Sequence, residues 1–119
     1  MNTPDLLDPA AMERLYRLGG PKLVGKMIDA FLSGARTRLA EAAAGLATGD
    51  LAPLAFAMHS LRGTAGNFGA ATVQSLAGGL ERAAAAGDRE AAVSGMPALE
   101  AAFAALADRL ALERERRPS

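Results

Sequence analysis

His59 is the only histidine of this 119-residue chain, and the residues spaced around it decide what chemistry it could do. It stands in Met58-His59-Ser60-Leu61-Arg62-Gly63-Thr64-Ala65-Gly66-Asn67-Phe68-Gly69-Ala70, with a cation three residues on and a glycine four residues on. On a helix, residues three and four apart are neighbours on one face. A guanidinium placed there can donate hydrogen bonds to phosphoryl oxygens. Glycine clears the turn above the ring. A neutral imidazole keeps a lone pair on one nitrogen, so the pattern suits in-line phosphoryl transfer onto that nitrogen, with the protein supplying position and charge. Between Leu51 and Gly69 the only formal charge is Arg62, so no carboxylate in that stretch repels an incoming phosphate.

On a helical wheel of about 100° per residue, His59 points roughly 130° away from the apolar stripe of its own helix. Ala52, Phe56, Gly63 and Gly66 share the exposed strip, with Arg62 at its margin and Asn67 just beyond. Gly63 in a helix interior costs about 1 kcal/mol relative to alanine, and an exposed Phe56 does nothing for folding. Both make sense where another protein docks, so Phe56, Ala52, Gly66 and Asn67 are candidate partner contacts.

The elements that must position this strip follow from punctuation and periodicity. Asp8-Pro9 reads as an N-cap and first-turn proline opening a short helix with Met12, Leu15 and Leu18 inward, closed by Gly19-Gly20. Pro21 opens a second helix carrying Val24, Met27/Ile28, Phe31, Ala35, Leu39, Ala42 and Leu46 to Gly49. Asp50 caps a third, with Leu51, Leu54, Met58, Leu61, Ala65 and Phe68 buried. A fourth spans about 70–86 with Val73, Leu76, Leu80 and Ala83/Ala84 inward. Asp88 caps a fifth with Val93, Met96, Leu99, Phe103, Leu106 and Leu110 inward, and Pro97 predicts a kink or break near 94–97. Short connections make successive long helices antiparallel neighbours. The expected fold is all-α, an antiparallel up-down four-helix bundle with a short extra N-terminal helix across one end. The bundle is expected over 8–114, with an N-terminal extension at 1–7 and a C-terminal tail at 115–119.

Composition bounds the rest. Alanine dominates an apolar half of the chain with only 4% aromatics, which suits closely packed helices. Thirteen basic and thirteen acidic residues cancel, arguing against a nucleic-acid or anionic-membrane surface. The tail cations Arg114, Arg116 and Arg117 alternate with Glu113 and Glu115 and read as a solvated helix end. Without cysteine there are no disulfides or thiolate metal sites. One histidine and no clustered carboxylates leave too few ligands for a metal. No stretch reaches the roughly 20 apolar residues of a membrane span, and the start lacks a signal-peptide pattern. The expectation is a soluble, cytoplasmic protein, monomeric, and free-standing given its Met1 and short termini.

The run His59-x-Leu61-Arg62-Gly63-x-x-Gly66-Asn67-Phe68-Gly69-Ala70 resembles the signature of histidine-containing phosphotransfer (HPt) domains. Those pair an H-x-L-K/R-G core with a downstream small-x-x-hydrophobic-Gly-Ala segment. The similarity continues into Leu76, Leu80 and Glu81, and then Gly87-Asp88. The resemblance implies that His59 is the phosphoacceptor, relaying phosphoryl groups between aspartates of response-regulator receiver domains. Arg62 would be the basic neighbour of the phosphate and Gly63 the clearance position. Where some members of the family carry a glutamine near the histidine, the corresponding position here is Glu81, which could hydrogen-bond the imidazole. No cofactor is implied for this chain; Mg2+ is expected only in the partner receiver domain, and a hybrid histidine kinase is a further candidate partner. Without a Gly-rich nucleotide loop or an acidic magnesium site, the chain reads as a carrier and not as a kinase. The alternative is a helical interaction module that binds and inhibits a receiver or histidine kinase, with His59 incidental.

Overall fold

The computed structural model describes residues 6–116. Four α-helices make up the fold, α1 (Pro9–Thr48), α2 (Ala52–Ala65), α3 (Ala71–Ala85) and α4 (Arg89–Arg116), with a 3₁₀ turn, Gly66–Phe68, extending α2. There is no strand among the described residues. Aspartate side chains mark where α1, α2 and α4 start. Asp8 accepts a hydrogen bond from the Ala10 N–H at 2.9 Å, Asp50 from Ala52 at 3.0 Å, and Asp88 from Ala91 at 3.1 Å.

The first two expected helices are the two arms of α1. Gly20 adopts φ 70°, a conformation that favours glycine, and turns the chain; Pro21, which has no N–H to lose, begins the long arm. The short arm lies across the end of the bundle where α2 gives way to α3. There the Asp8 N–H donates to the Phe68 carbonyl at 3.0 Å, and Leu7 and Met12 enter the core. That close approach depends on Gly69, also at positive φ (62°), because a side chain there would collide with Asp8 Cβ. Leu7 is buried although it precedes the cap, while 1–5 and 117–119 of the expected extension and tail lie outside the described residues.

From Pro21 onward the helices alternate up and down through connections of a few residues. α2 packs between α1 and α3, and α4 closes the bundle against both of those. The 28 residues of α4 rise about 42 Å at 1.5 Å each, which matches the 43 Å long axis of the molecule. In the core, Phe31 stacks edge-on to Phe68 (centroids 5.3 Å apart) and beside Phe103 (6.0 Å), joining α1, the 3₁₀ turn and α4. Among the described residues no helix is long and apolar enough to cross a membrane.

Four expectations need correction. Leu18 is 78% exposed, because the turn at Gly20 ends the short arm before that position meets the core. Val93 is 47% exposed and Ala92 is fully buried in its place, while Met96, Leu99, Phe103, Leu106 and Leu110 are buried as expected; alanine fits either face, so only the first position of the stripe differs. Pro97 does not break the last helix, which is continuous from Arg89 to Arg116. The proline has no N–H to offer the Val93 carbonyl, and Val93 stands on an exposed face. The tail also differs from a purely solvated end, since Arg114 pairs with Asp29 of α1; Arg117 lies outside the described residues.

Candidate functional site

α2 turns its buried stripe of Leu54, Met58, Leu61 and Ala65 inward and leaves His59 on the outer face, its side chain 69% exposed. Neighbouring helices flank that face, α3 bringing Glu81 and α1 bringing Arg38. The His59 Nδ1 lies 2.8 Å from Glu81 Oε2, and the other carboxylate oxygen, Oε1, is 3.0 Å from Arg62 Nε. One carboxylate therefore holds both the imidazole and the guanidinium. The hydrogen bond with His59 is the main cause holding the Glu81 carboxyl below its usual range. Partial desolvation opposes that lowering, and the charges of Arg62 and His59 and the Arg62 hydrogen bond add to it.

An ionised Glu81 can only accept, so Nδ1 must be the donor and carry the hydrogen. Arg62 Nη2 sits 3.5 Å from the same nitrogen; with no lone pair left there, that approach is proximity and not a hydrogen bond. In the neutral ring the lone pair is then on Nε2. Among the described residues Nε2 has no hydrogen-bond partner. The nucleophilic nitrogen faces solvent, away from the carboxylate.

Gly63 is exposed one turn along, and a Cβ built on it would meet nothing within 4 Å. The space above the imidazole on that side is open. Phe56 is 65% exposed on the same face, clear of the short arm, with the Arg38 guanidinium 5.4 Å from its ring centroid. Ala52 and Asn67 are exposed at the two ends of the strip. Gly66 is half-buried and faces α3, where a Cβ would come within 2.8 Å of the Gln74 amide nitrogen. Next to Asn67, a groove of about 230 Å³ between α1 and α2 has Met27, Phe31 and Phe68 in its walls and Arg38 and Thr64 at its rim.

Sequence reasoning passes over Gln74 and Arg38 and reads the Gly78-Gly79 pair only as close helix packing. Gln74 donates to the Arg62 carbonyl at 3.2 Å and so ties α3 to the last turn of α2. The Arg62 stem lies against α3 at Gly78, with Arg62 Cδ 3.5 Å from where its Cβ would be. Arg38 braces Phe56 from α1. Only the Gly78-Gly79 pair carried a local signal, as glycines within a helix.

The comparisons with known proteins agree with this geometry. The family profile for the Hpt domain matches residues 26–109, most of the chain and all of the helical face just described. The chain belongs to the Hpt domain family. Among solved structures it is similar to histidine-containing phosphotransfer protein B (HptB) from Pseudomonas aeruginosa PAO1. The TM-score is 0.87 and the identity 26%, over 97% of this chain and 98% of that one. No curated protein sequence matches significantly. Within the Hpt frame, the short arm of α1 lies outside the matched segment, whereas His59, Arg62, Gly63, Gln74 and Glu81 lie inside it.

Proposed function

We propose that this Hpt protein is a phosphocarrier in which His59 Nε2 takes a phosphoryl group from a receiver-domain aspartate and hands it to another receiver. The observation that carries the reading is the tethered imidazole: Nδ1 is held by Glu81 at 2.8 Å while Nε2 is left exposed beside Gly63. Nε2 attacks the phosphorus of the phosphoaspartate, the N–P bond forms, and the P–O bond to the aspartate breaks, returning a carboxylate. The ring becomes a phosphoimidazolium whose Nδ1–H remains on Glu81. Delivery runs the same steps backwards against a second aspartate. Arg62 is placed to move a hydrogen bond from Glu81 to a phosphoryl oxygen as charge shifts. Gly63 leaves room for the receiver surface, and Phe56 with Ala52 and Asn67 supplies its contact patch, whereas Gly66 faces Gln74 of α3 and stands behind that patch. The Mg2+ belongs to the receiver, and a hybrid kinase would act only through its own receiver domain.

The test is incubation with a receiver domain phosphorylated by acetyl phosphate. The wild type should gain an acid-labile, base-stable phosphoryl group, and His59→Gln should gain none. Binding to the receiver without labelling, together with slowed turnover of the receiver, would establish an inhibitory interaction module instead.

A further inference from the structure

Charge beside the phosphoacceptor is not balanced. Glu81 is matched by Arg62 at 3.0 Å, and with a neutral imidazole that group sums to zero. The next residue, Arg82, is exposed and makes no ion pair among the described residues. It does not extend away from the site. Its guanidinium folds back over Gly78 and Gly79, with Nη1 3.5 Å and Nη2 3.9 Å from where their Cβ atoms would be. Arg62 Cδ reaches the same Gly78 position at 3.5 Å, so the two arginines converge on one bare patch of α3. With Glu81 and Ala85 they line an open depression of about 280 Å³.

We infer that this depression, through Arg82, is an anchoring site for a carboxylate side chain of the partner protein. The inference rests on the phosphocarrier reading, because it takes the docked protein to be a receiver. A receiver must bring a phosphoaspartate to His59, so its approaching surface is anionic at the point of contact. The carboxylate that Arg82 takes is distinct from the phosphoryl group. Nδ1 faces Glu81, so Nε2 and whatever it carries point away from that carboxylate, while the Arg82 guanidinium lies over Gly78 and Gly79 of α3. Arg82 is a specificity-determining contact at the rim, outside the transfer chemistry. Rim charges act on encounter and on salt dependence, and a solvent-exposed pair contributes modestly.

The test separates binding from transfer. Affinity for an isolated Mg2+-loaded receiver domain is measured by calorimetry for the wild type and for Arg82→Ala, Arg82→Lys and Arg82→Glu, at low and high salt. Hydrolysis of isolated phospho-His59 is followed in parallel. The alanine variant should raise Kd about two- to fivefold, the glutamate variant about tenfold, and lysine should stay within about twofold because it retains the charge. Added salt should shrink these differences, and hydrolysis should stay at the wild-type rate throughout. Unchanged Kd values overturn the inference, and so does altered hydrolysis with unchanged Kd, which would put Arg82 on the phosphoryl group. A wild type that binds but is not labelled refutes the phosphocarrier reading, while the Kd series still judges Arg82. Absence of binding to any receiver overturns both.

Discussion

Replacing Gly63 should make this protein more stable and less able to transfer. The residue is exposed, has ordinary helical backbone angles, and would direct a Cβ into space empty within 4 Å. Alanine there meets no steric cost and recovers the helix penalty of glycine, about 0.5–1 kcal/mol. The lower half of that range applies, because Gly63 is two residues from the end of α2. Unfolding entropy of about 2.1 cal/mol/K per residue gives about 0.25 kcal/mol/K for a chain of 119 residues. The melting temperature should therefore rise by about 2–3 °C. Leucine has nearly the helix preference of alanine, so Gly63→Leu should keep the fold. Its side chain would stand where the receiver approaches, and overfilling a packed contact costs about 1–3 kcal/mol, equivalent to a loss of about 5- to 160-fold in kcat/KM for phosphotransfer. Thermal unfolding followed by circular dichroism, with single-turnover transfer from a phosphorylated receiver, measures both effects. A lowered melting temperature for Gly63→Ala would refute the view that this space is empty. Transfer by Gly63→Leu at the wild-type rate would refute the view that it is needed.

The Glu81 carboxyl should titrate below the usual range in a carboxyl-detected NMR experiment, and His59→Gln should move the midpoint upward, since the His59 hydrogen bond is the largest cause. Because the folded-state pKa is lowered, what Glu81 contributes to stability is present above the unfolded-state value and lost as pH falls through the folded one. The deficit of Glu81→Gln relative to wild type should therefore narrow in acid. Asp8→Ala removes the cap of α1 and should cost about 1 kcal/mol in chemical denaturation. Phe56→Ala should leave stability within about 0.5 kcal/mol, given its exposure, yet weaken receiver binding; unchanged binding would exclude Phe56 from the interface.

The fold was legible wherever local chemistry decides an element. The Asp8, Asp50 and Asp88 side chains bond backbone amides two or three residues ahead, so their role can be read from adjacent positions. Large apolar residues such as Ile28, Leu54 and Leu99 likewise report their face directly. Alanine does not, and that is why the stripe of α4 was set on Val93 although Ala92 is the buried residue. His59, Arg62 and Gly63 were legible because one helix carries them at helical spacing. Arg38, Gln74 and Arg82 reach the face from α1 and α3, and only the packing of those helices against α2 brings them there. The burial of Gly78 has the same origin, since one of the side chains against it belongs to an arginine sixteen positions earlier in the chain.

In the proposed carrier, with Nδ1 held by Glu81, phosphoryl groups would arrive and depart through a single atom on a single face. Donor and acceptor cannot be bound together; each must leave before the other can engage. Such a carrier works in strict alternation, and no ternary complex forms to channel the group directly from one receiver to the next. Flux through it then depends on how fast spent partners dissociate, and two receivers compete for one docking face whichever of them is charged. An excess of unphosphorylated receiver should thus slow the pathway by occupancy alone.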